Sequence, residues 1–199
     1  MKKNKLVYYI ILLVLGFTLL FIYMGTKDED NLPKLLLDGE QVTVTNKLLV
    51  QGDTLDTDYV LDKPVPTIDK LDTMNLSEIK GIRIIETVPS LDTPVCTEQT
   101  NDLNMYAEVN PDINFIVISQ DTPFAQSRFC SANKIDNISV LSDYRTSDFS
   151  RNNGLLMSEN KLNTRSIIVL DENDKVLYVE YAKDATKPLN LSKAITYVD

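Results

Sequence analysis

The sequence predicts an α/β fold: a mixed central sheet with helices on both faces, an N-terminal β-hairpin, and one transmembrane helix ahead of it. Three observations lead there. From Ile82 to Leu141, β-branched runs alternate with segments of helical period, in the order strand–helix–strand–helix–strand. Two more β-prone runs, "RSIIVLD" and "KVLYVEY", flank the turn "ENDK" and read as a hairpin. Near the start of the 199-residue chain, Leu6 to Met24 carries no charged residue.

In order along the chain, residues 1–5 contain Lys2, Lys3 and Lys5. The apolar run 6–24 follows; as a helix it measures about 28 Å, close to the roughly 30 Å hydrocarbon core of a bilayer. Tyr8, Tyr9 and Tyr23 stand near its ends, where amphipathic rings favour the headgroup region, and "KDED" follows it. The positive-inside rule puts residues 1–5 in the cytoplasm and the rest of the chain outside, as a single-pass protein of the cell membrane. The run is long for a cleaved signal, and no A-x-A-like site follows Met24, so an uncleaved anchor is expected. Residues 25–34 read as a polar tether, and 35–199 as the folded domain.

Within that domain "LLLDGEQVTV" sets two β-prone runs around Asp38-Gly39, a hairpin signal. Gln51 to Thr73, rich in Asp, Thr and Pro, reads as irregular. "IRIIETV" predicts a strand, and Cys96, Thr100, Leu103 and Ala107 recur at helical spacing over Cys96 to Val109. "INFIVIS" predicts a buried strand. A helix carrying Cys130 should follow, with Asp121 or Thr122 as N-cap and Pro123 in its first turn. "ISVL" is a short strand, Ser147 to Asn163 is a short helix followed by a loop, and Pro188 to Val198 closes the chain as a helix. This is a thioredoxin-like order, and fold alone assigns no function.

Composition narrows the chemistry. The formal charge is −9, and all of the N-terminal lysines lie before the span, leaving about −12 beyond it. Phosphate backbones are repelled by such a surface, so no nucleic-acid partner is expected. No histidine is present, which removes Ser-His-Asp and Cys-His machinery and His-based metal sites. Two cysteines are too few for a Cys-rich metal cluster, and the six glycines form no phosphate cradle.

Those two cysteines remain. Cys96 ends the stretch "TVPSLDTPVC" and Cys130 ends "FAQSRFC". A thiolate in the first turn of a helix faces unpaired backbone N–H groups and the positive end of the dipole, which lowers a thiol pKa from about 8.5 toward roughly 3.5–7.5. Full ionisation gains only about 30-fold at neutral pH, so such a site also needs fixed donors for the leaving oxygen. Thr93 offers a hydroxyl three residues before Cys96, an arginine would supply a fixed positive fork, and Pro89 and Pro94 would hold the turn and shield the sulfur. The competing reading is a structural disulfide in a non-catalytic, membrane-displayed binding module; such a bridge stabilises by about 3–4 kcal/mol.

"TVPSLDTPVC", "DTPFAQSRFC" and "RSIIVLDENDKVLYVEY" together resemble the thiol peroxidase branch of the peroxiredoxins. The family pattern Pro-x-x-x-Thr-x-x-Cys falls on Pro89, Thr93 and Cys96, which makes Cys96 the peroxidatic cysteine by resemblance. Cys130 takes the place of the resolving cysteine, and Arg165 that of the active-site arginine, with Arg128 and Arg145 as substitutes. The resemblance implies a thioredoxin-like fold, a homodimer, a hydroperoxide substrate, a cycle without metal or organic cofactor, an intramolecular Cys96–Cys130 disulfide, and its reduction by a thioredoxin-like dithiol. Each step is known sulfur chemistry.

Overall fold

The structure, a computed structural model, describes residues 34–198. The expected cytoplasmic segment 1–5, the anchor over 6–24 and nearly all of the tether 25–34 lie outside the described residues. Among the described residues no helix is long and apolar enough to cross a membrane.

The predicted hairpin forms from β1 (Leu36–Leu37) and β2 (Glu40–Gln41), paired antiparallel. Its turn needs two positive-φ positions, and Asp38 (φ 53°) and Gly39 (φ 81°) supply them. The Asp184 carboxylate accepts from both turn amides, Asp38 N at 3.2 Å and Gly39 N at 2.9 Å, so the C-terminal segment holds the hairpin in place. These bonds keep that carboxyl well below the usual carboxylate range, at about 2, with Thr186 contributing most.

Seven strands build the main sheet: β3 (Val60–Asp62), β4 (Thr73–Asn75), β5 (Arg83–Thr87), β6 (Asn114–Ser119), β7 (Ser139–Ser142), β8 (Ser166–Leu170) and β9 (Val176–Tyr181). Their spatial order is β4-β3-β7-β6-β5-β8-β9. β5, β6 and β7 are parallel, whereas β8 pairs antiparallel with both β5 and β9. The sheet is therefore mixed, as the alternation of elements predicts.

Helix α1 (Pro94–Val109) connects β5 to β6, and α2 (Pro123–Asn133) connects β6 to β7. Right-handed crossovers that step in one direction leave both helices on one face. There Leu103 and Ala107 of α1 and Phe129 of α2 pack on Ile84, Val117 and Ile167 in one buried cluster. The short α4 (Leu191–Ile195) adds Leu191 and Ala194 to it. The alternate residues of the same strands, Ile85, Ile116 and Ile168, pack on the opposite face with Leu55, Leu155 and Phe149 of α3 (Asp148–Asn152). Helices thus lie on both faces, in a thioredoxin-like arrangement.

Three local expectations need correction. Gln51–Thr73 is not merely irregular: β3 and a 3₁₀ turn at Ile68–Lys70 lie within it, and Thr73 begins β4. Isolated apolar residues there (Leu55, Leu61, Val65) are buried, each contributing little to a periodic signal. The helix predicted from Cys96 begins two residues earlier, at Pro94, whose missing N–H costs nothing at the first helical position. The closing helix is confined to Leu191–Ile195, with the Asn190 side chain accepting from Ser192 N.

Candidate active site

The candidate site lies where β5 ends and α1 begins. Thr87, the last residue of β5, is completely buried; its hydroxyl donates to the Thr164 carbonyl at 2.8 Å and shares a 2.7 Å bond with the Ser166 hydroxyl. These bonds join the end of β5 to the start of β8, placing residue 165 beside the turn that leads into α1. Pro89 is buried in that turn. The Asp121 carboxylate reaches across from the end of β6, accepting from Ser90 Oγ (2.7 Å), Leu91 N (2.7 Å) and Ser119 Oγ (2.8 Å). Charge-assisted bonds of this kind are worth about 1.5–3 kcal/mol each, so the turn is firmly tied to the sheet.

Thr93 is the N-cap residue of α1 and Pro94 its first helical residue; both are exposed. The Thr93 hydroxyl donates to the Ser90 carbonyl at 3.0 Å and does not cap the helix. Thr97 closes the first turn from inside, its hydroxyl donating to Leu91 O and Thr93 O at 3.0 Å each. The third helical position is Cys96, whose side chain is fully buried at the base of the turn.

Arg165 meets it there. Its Nη2 donates to Cys96 Sγ at 3.1 Å, its Nη1 to Gln99 Oε1 at 3.1 Å, and its Nε to the Ala185 carbonyl at 2.8 Å. Arg165 is 2 % exposed, and three partners on two segments, α1 and the chain at Ala185, fix the plane of its guanidinium. Gln99 Oε1 also accepts from Leu189 N at 3.2 Å, so the arginine and the C-terminal segment share one acceptor. A buried fork aimed at a sulfur in the first turn of a helix puts a fixed cation where an anionic sulfur and a departing oxygen need one.

Cys130 occupies different surroundings. It is half-buried at the eighth position of α2, facing a cleft of about 390 Å³ lined by Met74, Ile135, Ile138 and Val140 among others. Burial pushes its thiol up to about 11, and Asp136 adds to the shift, while the local backbone opposes it. Neither cysteine is bonded to the other. Of the substitute arginines, Arg128 is exposed on α2, and Arg145 is paired with the buried Asp62 carboxylate, so the arginine at the sulfur is Arg165.

Sequence reasoning missed Gln99, Asp121's role and Glu86. Gln99 was findable, since it lies three residues after Cys96 and therefore on the same helix face. Asp121 read only as a possible N-cap; the cap of α2 is Thr122, whose hydroxyl accepts from Ala125 N at 3.4 Å. Glu86 is a carboxylate in the middle of a buried strand, 1 % exposed.

The Redoxin family profile matches residues 62–196. Over 163 residues the chain is 39 % identical to the thiol peroxidase of Bacillus subtilis (strain 168), covering 81 % of this chain and 94 % of that one. Over 158 residues it is 36 % identical to the thiol peroxidase of Streptococcus agalactiae serotype III, covering 79 % and 93 %. Among solved structures, a peroxiredoxin-like protein from Aquifex aeolicus matches with a TM-score of 0.73 at 29 % identity, over 84 % of this chain and 96 % of that one. The thiol peroxidase from Chromobacterium violaceum, at 20 % identity, matches in fold with a TM-score of 0.70 over 82 % and 94 % of the two chains.

Proposed function

Because the chain belongs to the Redoxin family, and within the peroxiredoxins to the thiol peroxidases, it is a peroxidase enzyme, and we propose that Cys96 is its attacking sulfur and Cys130 its resolving one. The observation that carries this reading is the Arg165–Cys96 hydrogen bond. As a thiolate, Cys96 attacks the terminal oxygen of a hydroperoxide; the O–O bond breaks, the alkoxide or hydroxide leaves and takes a proton, and Cys96 becomes a sulfenic acid. Arg165 stays beside the sulfur throughout and offers its charge to the departing oxygen. The peroxide approaches from the side of the turn where Thr93 and Pro94 are exposed, and the Thr93 hydroxyl turns from Ser90 O to meet it.

Resolution forms an S–S bond between Cys130 and Cys96 and releases the sulfenic oxygen as water. A disulfide requires Cα atoms within roughly 7 Å, and Cys130 sits inside α2 with its thiol held protonated by burial. Both facts favour a local unwinding of α2 before the bond forms. A thioredoxin-like dithiol then reduces the disulfide, approaching over the cleft beside Cys130.

The same proposal covers setting. The uncharged run 6–24 anchors the chain in the cell membrane with residues 1–5 cytoplasmic and the enzyme outside, as a homodimer. Proximity to the bilayer points to lipid hydroperoxides as well as hydrogen peroxide, and the chain has no Cys-x-x-Cys of its own, so the reductant must be tethered or secreted on the same side. The test is direct. Cys96→Ser should consume neither hydrogen peroxide nor an alkyl hydroperoxide with dithiol present, while Cys130→Ser treated with one equivalent should carry a single added oxygen on Cys96 by mass spectrometry. Turnover by Cys96→Ser at the parental rate would end the assignment.

A further inference from the structure

Glu86 takes part in none of these steps, yet it is one of the most deeply buried groups near the site. It lies in β5 between Ile84 and Val88, on the sheet face that packs against α1. Its neighbours in the sheet are apolar: Val117 of β6 on one side and Ile167 of β8 on the other. Neither of its carboxylate oxygens has a hydrogen-bond partner. On the buried face of α1, Gln99 Nε2 and Thr100 Oγ1 are also unpartnered. Gln99 is thus shared: its oxygen holds Arg165 Nη1, and its nitrogen lies near enough to Glu86 to favour the charged carboxylate.

The groups that face Glu86 are few. From the start of β8, Arg165 favours its charged form; from α1, Asp102 opposes it, and Cys96 contributes the sulfur that Arg165 already serves. In the next position of the same row, beyond Ile167, stands Glu180 of β9, bonded to the Tyr178 hydroxyl; Lys193 of α4 lies over the Tyr178 ring, 5.2 Å from its centroid. On the other side, β6 and β7 present Val117 and Val140. Burial outweighs the attraction to Arg165, and the carboxyl is pushed up to about 8.

We propose that Glu86 is a positioning residue acting through Arg165: neutral, it leaves the guanidinium to Cys96, and ionised, it draws that charge and the Gln99 amide toward itself and weakens the peroxidase. The sign follows from the charges. A neutral carboxyl makes no claim on the cation, whereas a buried carboxylate, with the Gln99 amide as its nearest donor, competes for the charge of Arg165. The rate of peroxide attack therefore falls as Glu86 ionises, so that the alkaline limb of the pH profile belongs to a residue that never touches substrate.

The inference rests on Cys96 as the attacking sulfur, and its test separates the two. The second-order rate constant for oxidation by hydrogen peroxide is measured from about pH 6 to 9.5 for the full chain and for Glu86→Gln, which mimics the neutral carboxyl. The parent should lose ~tenfold between its maximum and the alkaline end, and the ratio of alkaline to maximal rate in Glu86→Gln should return toward one. Identical normalised profiles in two active proteins would overturn the role of Glu86 without touching Cys96, whereas inactivity of both toward peroxide would remove Cys96 instead. Should Glu86→Gln fail to fold, carbon-13 carboxyl NMR of the parent decides: a Glu86 titration coinciding with the alkaline fall in rate supports the proposal, and one in the ordinary glutamate range overturns it.

Discussion

Helices α1 and α2 open with the same three residues, Asp-Thr-Pro, at 92–94 and 121–123, and each carries a cysteine. Their starts nevertheless differ in every functional respect. In α2 the Thr122 hydroxyl caps the helix, and the preceding Asp121 holds the turn before α1. In α1 the Thr93 hydroxyl points back to Ser90 O, leaving the third amide, Cys96's own N–H, without a side-chain cap. One helix start is closed for stability; the other is left with donors facing the place where a sulfur anion and a peroxide oxygen would sit. The sulfurs differ in the same way: Cys96 has a guanidinium at 3.1 Å, and Cys130 has burial and a nearby aspartate.

The comparison breaks most completely at Arg165. Arg165→Met removes the cation that distinguishes the two sulfurs, and peroxide attack should slow by about 10²–10³-fold, the scale for deleting one preorganised donor at a developing anion. Arg165→Lys should recover part of this, since charge returns but the fork to Gln99 and Ala185 does not. The measurement is stopped-flow oxidation of Cys96 in a Cys130→Ser background, with folding checked by near-ultraviolet circular dichroism. An unaltered rate in Arg165→Met would mean the helix start alone equips the sulfur.

The next effect concerns Cys130 and its pH dependence. A thiol whose folded pKa stands at about 11 is overwhelmingly protonated at neutral pH, and its thiolate fraction grows about tenfold per pH unit until that value is passed. If disulfide formation occurred with α2 intact, its rate would climb steadily to the alkaline limit. Unwinding returns the sulfur to water and its pKa toward about 8.5, so the climb should level off there. We expect levelling, read from rapid-quench mass spectrometry of the sulfenic acid converting to disulfide. An unbroken climb would place resolution within the folded helix.

How much of this was legible in the residues depends on distance along the chain. The Asp38-Gly39 hairpin, the strands around Cys96 and the Thr122-Pro123 helix start are local signals, and the structure has them where the sequence put them. Arg165 was placed by resemblance, and the structure sets its guanidinium at Cys96. What stayed hidden is contact between distant segments. Asp121 looks like any capping residue until β6 brings it beside Ser90 and Leu91, some thirty residues earlier. In β5, Glu86 follows Ile84 and Ile85 without saying which face it occupies; that is settled by the parity of Ile84 and Val88 under α1. β3 and β4 escaped because each is only three residues long, too short for a periodic signal, and their pairing lies at a sheet edge, where few apolar positions are needed.

The smallest effect is also the one that separates the two Asp-Thr-Pro starts most cleanly. Thr122→Ala deletes a side-chain cap and should lower unfolding stability by about 1 kcal/mol, with peroxide reduction unchanged. Thr93→Ala deletes no cap, so its stability cost should be only the weaker bond to Ser90 O, while peroxide attack should fall by ~tenfold because the hydroxyl that meets the oxygen is gone. Thr93→Ser keeps the hydroxyl and should restore most of the rate. Urea unfolding and stopped-flow kinetics on the same preparations give both axes. If the two alanine variants moved together along one axis, the identical tripeptides would be doing the same work, and an uncapped α1 would lose its meaning as a site built for an incoming anion.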